Sequence, residues 1–365
     1  MKVSIITVCF NADDTIEQTI RSVFAQTYKD IEYIVVDGMS TDITLDIVNK
    51  YKHMIAHIIS EKDSGIYDAM NKGIKIASGD IIGILNADDW YESDAVENVV
   101  RCFEQSDAEI VHGDVNYIWA SGKTQRSVYE NNNSLWHSMV VKHPAAFVRK
   151  EIYEKFGVFD TSYRIAGDYE FVLRCYSNGV RLHYLNKILT NFRMSGISNV
   201  QNALCTKETD DIALRYITKS PNEKEVHNAI LLRDKRMSFI SIIEDDSCDI
   251  TKSLGHLGIC PDSKIVIWGS GVWGERIVKK LLSQKIYVEY IVDTDCEKIG
   301  TIIQEIEVKE PDQISKEHIV IVAVSKPDNY LLTKIEKYRN ENIRIVTFKE
   351  LEEQVLADRI ENEKE

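Results

Sequence analysis

The sequence predicts an α/β protein: a larger unit on a mixed, mainly parallel sheet, followed by a smaller α/β unit. Two observations predict it. Short apolar runs alternate with segments of helical period from the first residue to Leu85, and the same alternation restarts at Lys264. A third shows where function gathers: Asn86-Ala87-Asp88-Asp89 follows the apolar run 80–85 directly, so two carboxylates hang off the end of a buried strand.

Taken in order, residues 3–8 read as a first strand. Ile16, Ile20, Val23 and Phe24 then recur at helical spacing, with Asp14 three residues before Glu17 as a capping-box-like start. Residues 31–36 read as a second strand and end in Asp37-Gly-Met-Ser-Thr-Asp42; Leu45 and Val48 suit the helix that follows. Residues 56–60 make a short third strand. Ile66, Ala69, Met70, Gly73, Ile74 and Ala77 form one apolar helix face, and residues 81–85 a fourth strand. A β-α-β-α-β-α-β series implies a mainly parallel sheet with helices on both faces. Beyond Asp89, residues 95–103 read as a helix, 109–115 as a strand, 131–134 as a loop and 169–176 as a helix begun near Gly167-Asp168. Residues from about 202 to 260 are polar with broken helical patterns. The second unit has strands at 265–268, 288–292 and 319–324. The expected division is 1–200, a helical connector 201–262, a Rossmann-like module 263–350 and a charged tail 351–365.

With 365 residues the chain is long enough for two cores; 44% of residues are hydrophobic and 28% charged, as in ordinary globular proteins. The net charge of −14 argues against nucleic acid as the main partner, since a phosphate backbone needs a basic surface. Seven cysteines, widely spaced and without C-x-x-C, read as incidental thiols of a reducing cytosol. The apolar start is short and runs into Asn11, Asp13 and Asp14, so it reads as a first strand, not a signal peptide. No stretch approaches the roughly 20 apolar residues a spanning helix needs. A cytoplasmic protein, at most peripheral to the inner face of the plasma membrane, is expected.

Four polar clusters fall at predicted carboxyl ends of strands: Thr7 to Asn11, Asp37 with Asp42, Asp63 with Ser64 and Gly65, and Asn86 to Asp89. Parallel strands point the same way, so these ends share one edge, where open α/β sheets bind ligands. Each cluster alone also reads as a turn or helix cap. Two adjacent carboxylates repel unless a cation relieves them, and Mg²⁺ or Mn²⁺ takes one or two carboxylates and fills its remaining positions with phosphate and water. The division expected is Asp88 at the metal and Asp89 as either a second ligand or the cap of a helix starting near Glu92. Asp168 opens a helix as Gly-Asp-Tyr-Glu, which suits an N-cap. Arg193 has the geometry for diphosphate and is equally readable as a surface arginine. His137 and His143 are two further candidates, though a lone histidine is more often structural than functional.

The first 200 residues resemble the family 2 glycosyltransferases of GT-A fold. The residues that carry the likeness are Ser4-Ile-Ile-Thr-Val-Cys-Phe-Asn11, Ile34-Val-Val-Asp-Gly-Met-Ser-Thr-Asp42, Asp63-Ser-Gly-Ile-Tyr-Asp-Ala-Met-Asn-Lys-Gly73 and Gly79-Asp-Ile-Ile-Gly-Ile-Leu-Asn-Ala-Asp-Asp89, with His143-Pro-Ala-Ala-Phe147 and Gly167-Asp-Tyr-Glu-Phe171 further on. The resemblance implies an inverting, metal-dependent transfer from a nucleotide sugar, expected to be UDP-linked, to a hydroxyl of a glycan or lipid-linked acceptor in surface polysaccharide assembly. It implies a nucleoside pocket lined by Thr7, Asn11 and Asp37, supported by Asp42 and Asp63, with Asn71, Asn86, Ala87, Asp88 and Arg193 also on the nucleotide sugar. It makes Asp88 and Asp89 the metal ligands and Asp168 the base that deprotonates the acceptor. Asn86 stands where many relatives carry a first aspartate; an amide is a poor metal ligand, so the burden shifts to Asp88. The Q-x-x-R-W signature of processive relatives is absent, so one sugar per encounter is expected.

In the second unit Gly269-Ser-Gly-Val-Trp-Gly274 follows a strand and opens a helix, and Asp293 lies roughly where a ribose-binding acid belongs. Gly269, Gly271, Gly274 and Asp293 therefore read as a dinucleotide-type loop, holding a nucleotide or purely structural. Two rival functions follow: an NAD(P)-linked sugar oxidoreductase built on that loop, or a nucleotide-sugar-binding protein without catalysis.

Overall fold

The computed structural model describes residues 1–127, 129, 131–194 and 202–362. The chain divides into two compact units, Met1–Ile230 and Leu231–Glu365. The expected boundary at 200/201 lies outside the described residues, as do Ser195 and Gly196 beside Arg193 and the last three residues of the tail.

The first unit opens with β1 (Val3–Cys9), α1 (Ile16–Phe24), β2 (Ile31–Asp37), α2 (Thr44–Lys50), β3 (His57–Ser60), α3 (Ile66–Ile76) and β4 (Ile81–Asn86). The alternation read from the sequence is present: β1 pairs in parallel with β2 and β4, and β2 with β3. α1 starts after Thr15 with no side-chain cap, so the Asp14–Glu17 capping box does not form.

The remaining strands turn the sheet mixed. They are β5 (Trp90–Tyr91), β6 (Ile110–Ile118), β7 (Thr124–Arg126), β8 (Ala146–Arg149) and β9 (Leu182–Arg193), interleaved with α4 (Ala95–Gln105), α5 (Lys150–Phe156) and α6 (Gly167–Tyr176). The order across the sheet is β3-β2-β1-β4-β8-β6-β9-β5, with β7 on β6. β8 runs antiparallel to both β4 and β6. Its amino end therefore lies at the edge where β4 ends. β9 runs parallel to β6 through two register shifts, and its far end pairs with β5.

Alternation along β1 sorts the core into two layers. Val3, Ile5 and Cys9 pack with α1 and α4, while Ile6 and Val8 pack with α3 and α6. Gly73 is required by this packing, since a methyl there would sit 2.4 Å from the Ile6 side chain. After α6 come α7 (Asn202–Tyr216) and α8 (Glu223–Glu244). Ile212, Ala213 and Val226 join Tyr169 and Leu173 of α6 in a third cluster of the first unit.

The second unit holds α9 (Thr251–His256), β10 (Lys264–Trp268), α10 (Val272–Ser283), β11 (Val288–Val292), β12 (Ile302–Ile303), β13 (Ile306–Lys309), β14 (His318–Val322), α11 (Asn329–Asn340), β15 (Arg344–Thr347) and α12 (Phe348–Asn362). Its strand order is β12-β13-β11-β10-β14-β15, parallel from β13 to β15. The strand order reverses between β10 and β14, where Rossmann-like sheets form their crevice.

Candidate active site

The carboxyl ends of β1, β2 and β4 bring Asn11, Asp37 and Asn86 to one edge. Asp37 is fully buried. Its Oδ1 accepts the Ser40 N–H at 3.2 Å and the Ser40 hydroxyl, and its Oδ2 accepts the Ser60 hydroxyl at 2.7 Å. The Cys9 thiol lies beside it, and burial together with the Asp37 charge pushes that thiol far up, leaving it unreactive. Asn11 has φ 49°, a left-handed conformation that asparagine tolerates. Its Oδ1 accepts the Thr41 N–H at 2.8 Å. Asp42 accepts the N–H groups of Thr44 and Asp13. Burial opposes its ionisation, but these bonds hold the carboxyl below its usual range. Asp63 accepts the Gly65 N–H at 3.1 Å, and a methyl on Gly38 would come within 2.4 Å of its Oδ2. The bare backbone at Gly38 thus lets the Asp63 carboxylate close against the Asp37 turn.

At the end of β4 the acidic turn is held from below. The Thr19 hydroxyl of α1 lies 2.8 Å from the Ala87 carbonyl and 2.7 Å from the Asp89 carbonyl. Asp89 is fully buried, and its Oδ1 accepts the Arg193 N–H at 3.0 Å. Its Oδ2 and the Oδ1 of Asn86 are buried with no hydrogen-bond partner. Burial, reinforced by the charge of Asp88, drives the Asp89 carboxyl well above its ordinary range; burial also raises Asp88, against the pull of Arg193. Unpartnered buried acceptors of this kind are costly unless a cation or donor completes them. Among the described residues no three His, Cys, Asp or Glu side chains gather as a metal site. A divalent ion here would draw at most two carboxylates from the protein and the rest from phosphate and water, which fits the donor set Mg²⁺ or Mn²⁺ accepts. The Arg193 guanidinium stacks over Trp90 at 4.7 Å and bonds Gln18, so it faces the same turn. Asp89 does not cap a helix: α4 begins at Ala95 after Asp94.

Asp168 stands on the other side of the sheet edge, as the second residue of α6. The cap position is Ala166, so Asp168 is not the N-cap that its sequence context also suited. Its Oδ1 lies 3.1 Å from the Tyr67 hydroxyl of α3. Gly167 permits this approach, because a methyl there would meet the Tyr67 ring at 2.8 Å. His143 precedes β8 and packs edge-on against Phe159 at 5.7 Å. Burial pushes its imidazole below the ordinary histidine range against the pull of the nearby Asp168 charge, and its Nε2 is buried without a partner. His137 instead lies 3.8 Å from Glu225.

Two expected pocket residues have other tasks. Thr7 is fully buried within the sheet, its oxygen accepting the Tyr33 hydroxyl at 3.1 Å, because position 7 of β1 faces the α1 layer. Asn71 clasps the backbone of Phe159 through both amide atoms, at 2.9 and 3.0 Å, and so fixes the segment before α6. Ala87 is buried, leaving its backbone in the turn. Tyr67, Thr19 and Gln18 escaped the sequence reading; Tyr67 sits inside the quoted Asp63–Gly73 motif, the one signal that could have found it.

In the second unit Gly269 has φ 112° and a methyl on Gly274 would fall 1.8 Å from the Gly269 carbonyl oxygen, so both glycines are demanded by the strand-to-helix turn. Gly271 precedes the first residue of α10. Asp293 follows β11 and accepts the Ser270 N–H at 2.8 Å and the Ser270 hydroxyl. Burial opposes its ionisation, but these bonds and Lys298 hold its carboxyl below the usual range.

Comparison with known proteins bears on the family and the fold. The family model described as Glycosyl transferase family 2 matches residues 4–161. A "PGL/p-HBAD biosynthesis glycosyltransferase" of Mycobacterium bovis is 31% identical over 211 residues, 54% of this chain and 78% of the relative. A "UDP-Glc:alpha-D-GlcNAc-diphosphoundecaprenol beta-1,3-glucosyltransferase" of Escherichia coli is 29% identical over 63% of this chain and 90% of its own length. Among solved structures, S. aureus TarS 1-349 in complex with UDP-GlcNAc superposes with TM-score 0.52 at 16% identity, covering 79% of this chain and 82% of that one. A mannosyltransferase of Pyrobaculum calidifontis in complex with GDP-Man and Mn²⁺ gives TM-score 0.51 at 19% identity, over 62% and 68%. The fold is of the GT-A type.

Proposed function

This chain belongs to glycosyl transferase family 2 and is a transferase, and from that premise we propose that it moves a sugar from a UDP-linked donor, with inversion and with a divalent metal, to a hydroxyl of a lipid-linked or glycan acceptor in surface glycoconjugate assembly. The observation that carries the reading is the acidic turn after β4, where Asp89 Oδ2 and Asn86 Oδ1 lie buried without partners beside Asp88. Those oxygens only accept, so the cation that accompanies the diphosphate of a nucleotide sugar, or a hydroxyl or N–H donor of that nucleotide sugar, completes them.

Asn11 and the Asp37 turn form the nucleoside end, with Asp42 and Asp63 holding that turn in place. Asp88, half-buried, is the metal ligand; Asp89 supports it from the buried side. When bound, the ion offsets the charge that develops on the departing diphosphate. Arg193, seated over Trp90, presents its guanidinium to the same phosphates. Asp168 accepts the proton of the acceptor hydroxyl as that oxygen attacks the anomeric carbon. Attack from the Asp168 side and departure from the Asp88 side give a single displacement, hence inversion.

The UDP-linked donor is supported by the names of the Escherichia coli relative and the TarS complex, and the lipid-linked acceptor by the same relative. With such an acceptor, the proposed place of work is the inner face of the plasma membrane; no described helix is long and apolar enough to cross one. A nucleotide in the second unit is supported only by its glycine spacing and strand order, and would have to take Asp293 from Ser270. The test is a thermal-shift screen of UDP-, GDP- and dTDP-sugars with Mn²⁺, followed by turnover. Stabilisation and nucleotide release with a UDP-sugar are expected; a GDP-sugar alone would replace the donor assignment, and no response to any would end the reading.

A further inference from the structure

The turn that leads into α6 carries three backbone N–H groups that point at one side chain from far along the chain. Arg164 N, Ile165 N and Ala166 N donate to the carboxylate of Glu208 at 2.8, 2.9 and 2.8 Å. Glu208 lies on α7, 8% exposed, beyond the 4–161 span of the family match. Successive N–H groups converging on one anion form a nest, and the start of a helix adds its positive dipole end. The carboxylate is thus a cap supplied in trans. It fixes the backbone two residues before Asp168.

The same turn is gripped from the opposite side. The Tyr67 hydroxyl bonds the Ile165 carbonyl and lies 3.1 Å from Asp168 Oδ1. Glu208 on α7 and Tyr67 on α3 therefore hold residues 164–168 between them. A base must meet the acceptor hydroxyl within hydrogen-bond reach, and displacement by about 1 Å can cost on the order of 100-fold in rate.

We propose that Glu208 is the positioning residue for Asp168: α7, through Glu208, sets where the base stands. This rests on the assignment of Asp168 as base in the proposed transfer. Both carboxylate oxygens of Glu208 are taken by the backbone N–H groups of residues 164–166, so the expected effect of its loss is on kcat, with donor binding left alone. A purely structural Glu208 would lower the melting temperature and the amount of folded enzyme, with kcat per folded molecule intact.

The experiment compares wild type, Glu208→Gln and Asp168→Asn, using the nucleotide sugar selected by the thermal-shift screen with Mn²⁺ and nucleotide release as the readout. Glu208→Gln keeps the shape, removes the charge and replaces one of the two acceptor oxygens with an N–H donor. Its kcat per folded molecule is expected to fall 10- to 100-fold with donor KM within twofold of wild type. A fall of less than fivefold, or a loss confined to donor KM, overturns the inference while a dead Asp168→Asn leaves the base assignment standing. An Asp168→Asn variant as active as wild type, or a wild type that releases nucleotide from no sugar tested, removes the reading beneath it and the inference with it. Should Glu208→Gln not fold, Glu208→Asp, which keeps the charge and shortens the reach by one methylene, must show the same kcat-selective loss of at least fivefold.

Discussion

Arg193 donates its backbone N–H to Oδ1 of Asp89 at 3.0 Å, across 104 residues of chain. That bond joins the end of β9 to the acidic turn after β4. It satisfies one oxygen of a carboxylate whose other oxygen has no partner. The two aspartates consequently differ: Asp89 is locked and fully buried, while Asp88 keeps partial access to solvent.

This difference predicts an order of effects. Asp88→Asn should weaken Mn²⁺-dependent donor binding by about 100-fold, because it removes the one accessible carboxylate. Asn86→Ala should cost about tenfold or less, the loss of one hydrogen bond. Chelating the metal should bring wild type down to the Asp88→Asn level. Calorimetric titration with and without Mn²⁺ decides it; the reverse order would mean that Asn86 holds the ligand.

Asp168→Asn should abolish transfer and leave donor affinity within about twofold, since the base acts only as the acceptor attacks. Tyr67→Phe, which removes the hydroxyl 3.1 Å from Asp168 Oδ1, should lower kcat by roughly tenfold without changing donor affinity. Equal losses in donor affinity for both variants would show that this side of the edge holds the donor instead.

Much of the fold was legible because parallel β-α units write themselves as local periodicity. Strands β1 to β4 and helices α1 and α3 each carry their own apolar pattern. In the second half of the sheet β6 was legible, at 109–115, but β9 was not, for a physical reason. β9 mixes His183, Asn186, Lys187 and Asn191 into a strand with two register shifts, so no alternation survives. At the site, the gathering of Asp37, Asn86 and Asp88 at one edge was legible because strand ends are fixed by topology. Thr7 and Asn71 were misplaced because the direction of a side chain, into the core or toward Phe159, depends on partners distant in sequence. Glu208 left no trace at all: its partners are backbone N–H groups, which have no residue type.

Gly167 offers a test of packing at the base. A methyl there would lie 2.8 Å from the Tyr67 ring, inside van der Waals contact. Gly167→Ala must push either Tyr67 or the start of α6 aside, at about 1–3 kcal/mol of stability. The expected result is a lower denaturation midpoint together with a loss of kcat larger than that of Tyr67→Phe. Unchanged stability would show that the turn yields freely and that Gly167 is not needed for the close approach.

Glu32 predicts a pH dependence of stability remote from the chemistry. It is 6% exposed on β2. Burial alone would raise its carboxyl, but the Ser4 hydroxyl, the N–H and hydroxyl of Ser78 and the Lys2 ammonium at 3.0 Å outweigh burial and bring it down to about 2. A carboxyl depressed on folding binds its proton less tightly in the native state. Its contribution is therefore present above the unfolded value near 4.5 and is lost as pH falls toward 2. At about 1.4 kcal/mol per unit, the ionised group contributes about 3.5 kcal/mol at neutral pH. Glu32→Gln should accordingly lose about that much in urea unfolding at pH 7 and progressively less below pH 4.5. A deficit that stays constant down to pH 2.5 would mean that shape and hydrogen bonding, not the charge, hold β2 to the Ser78 turn.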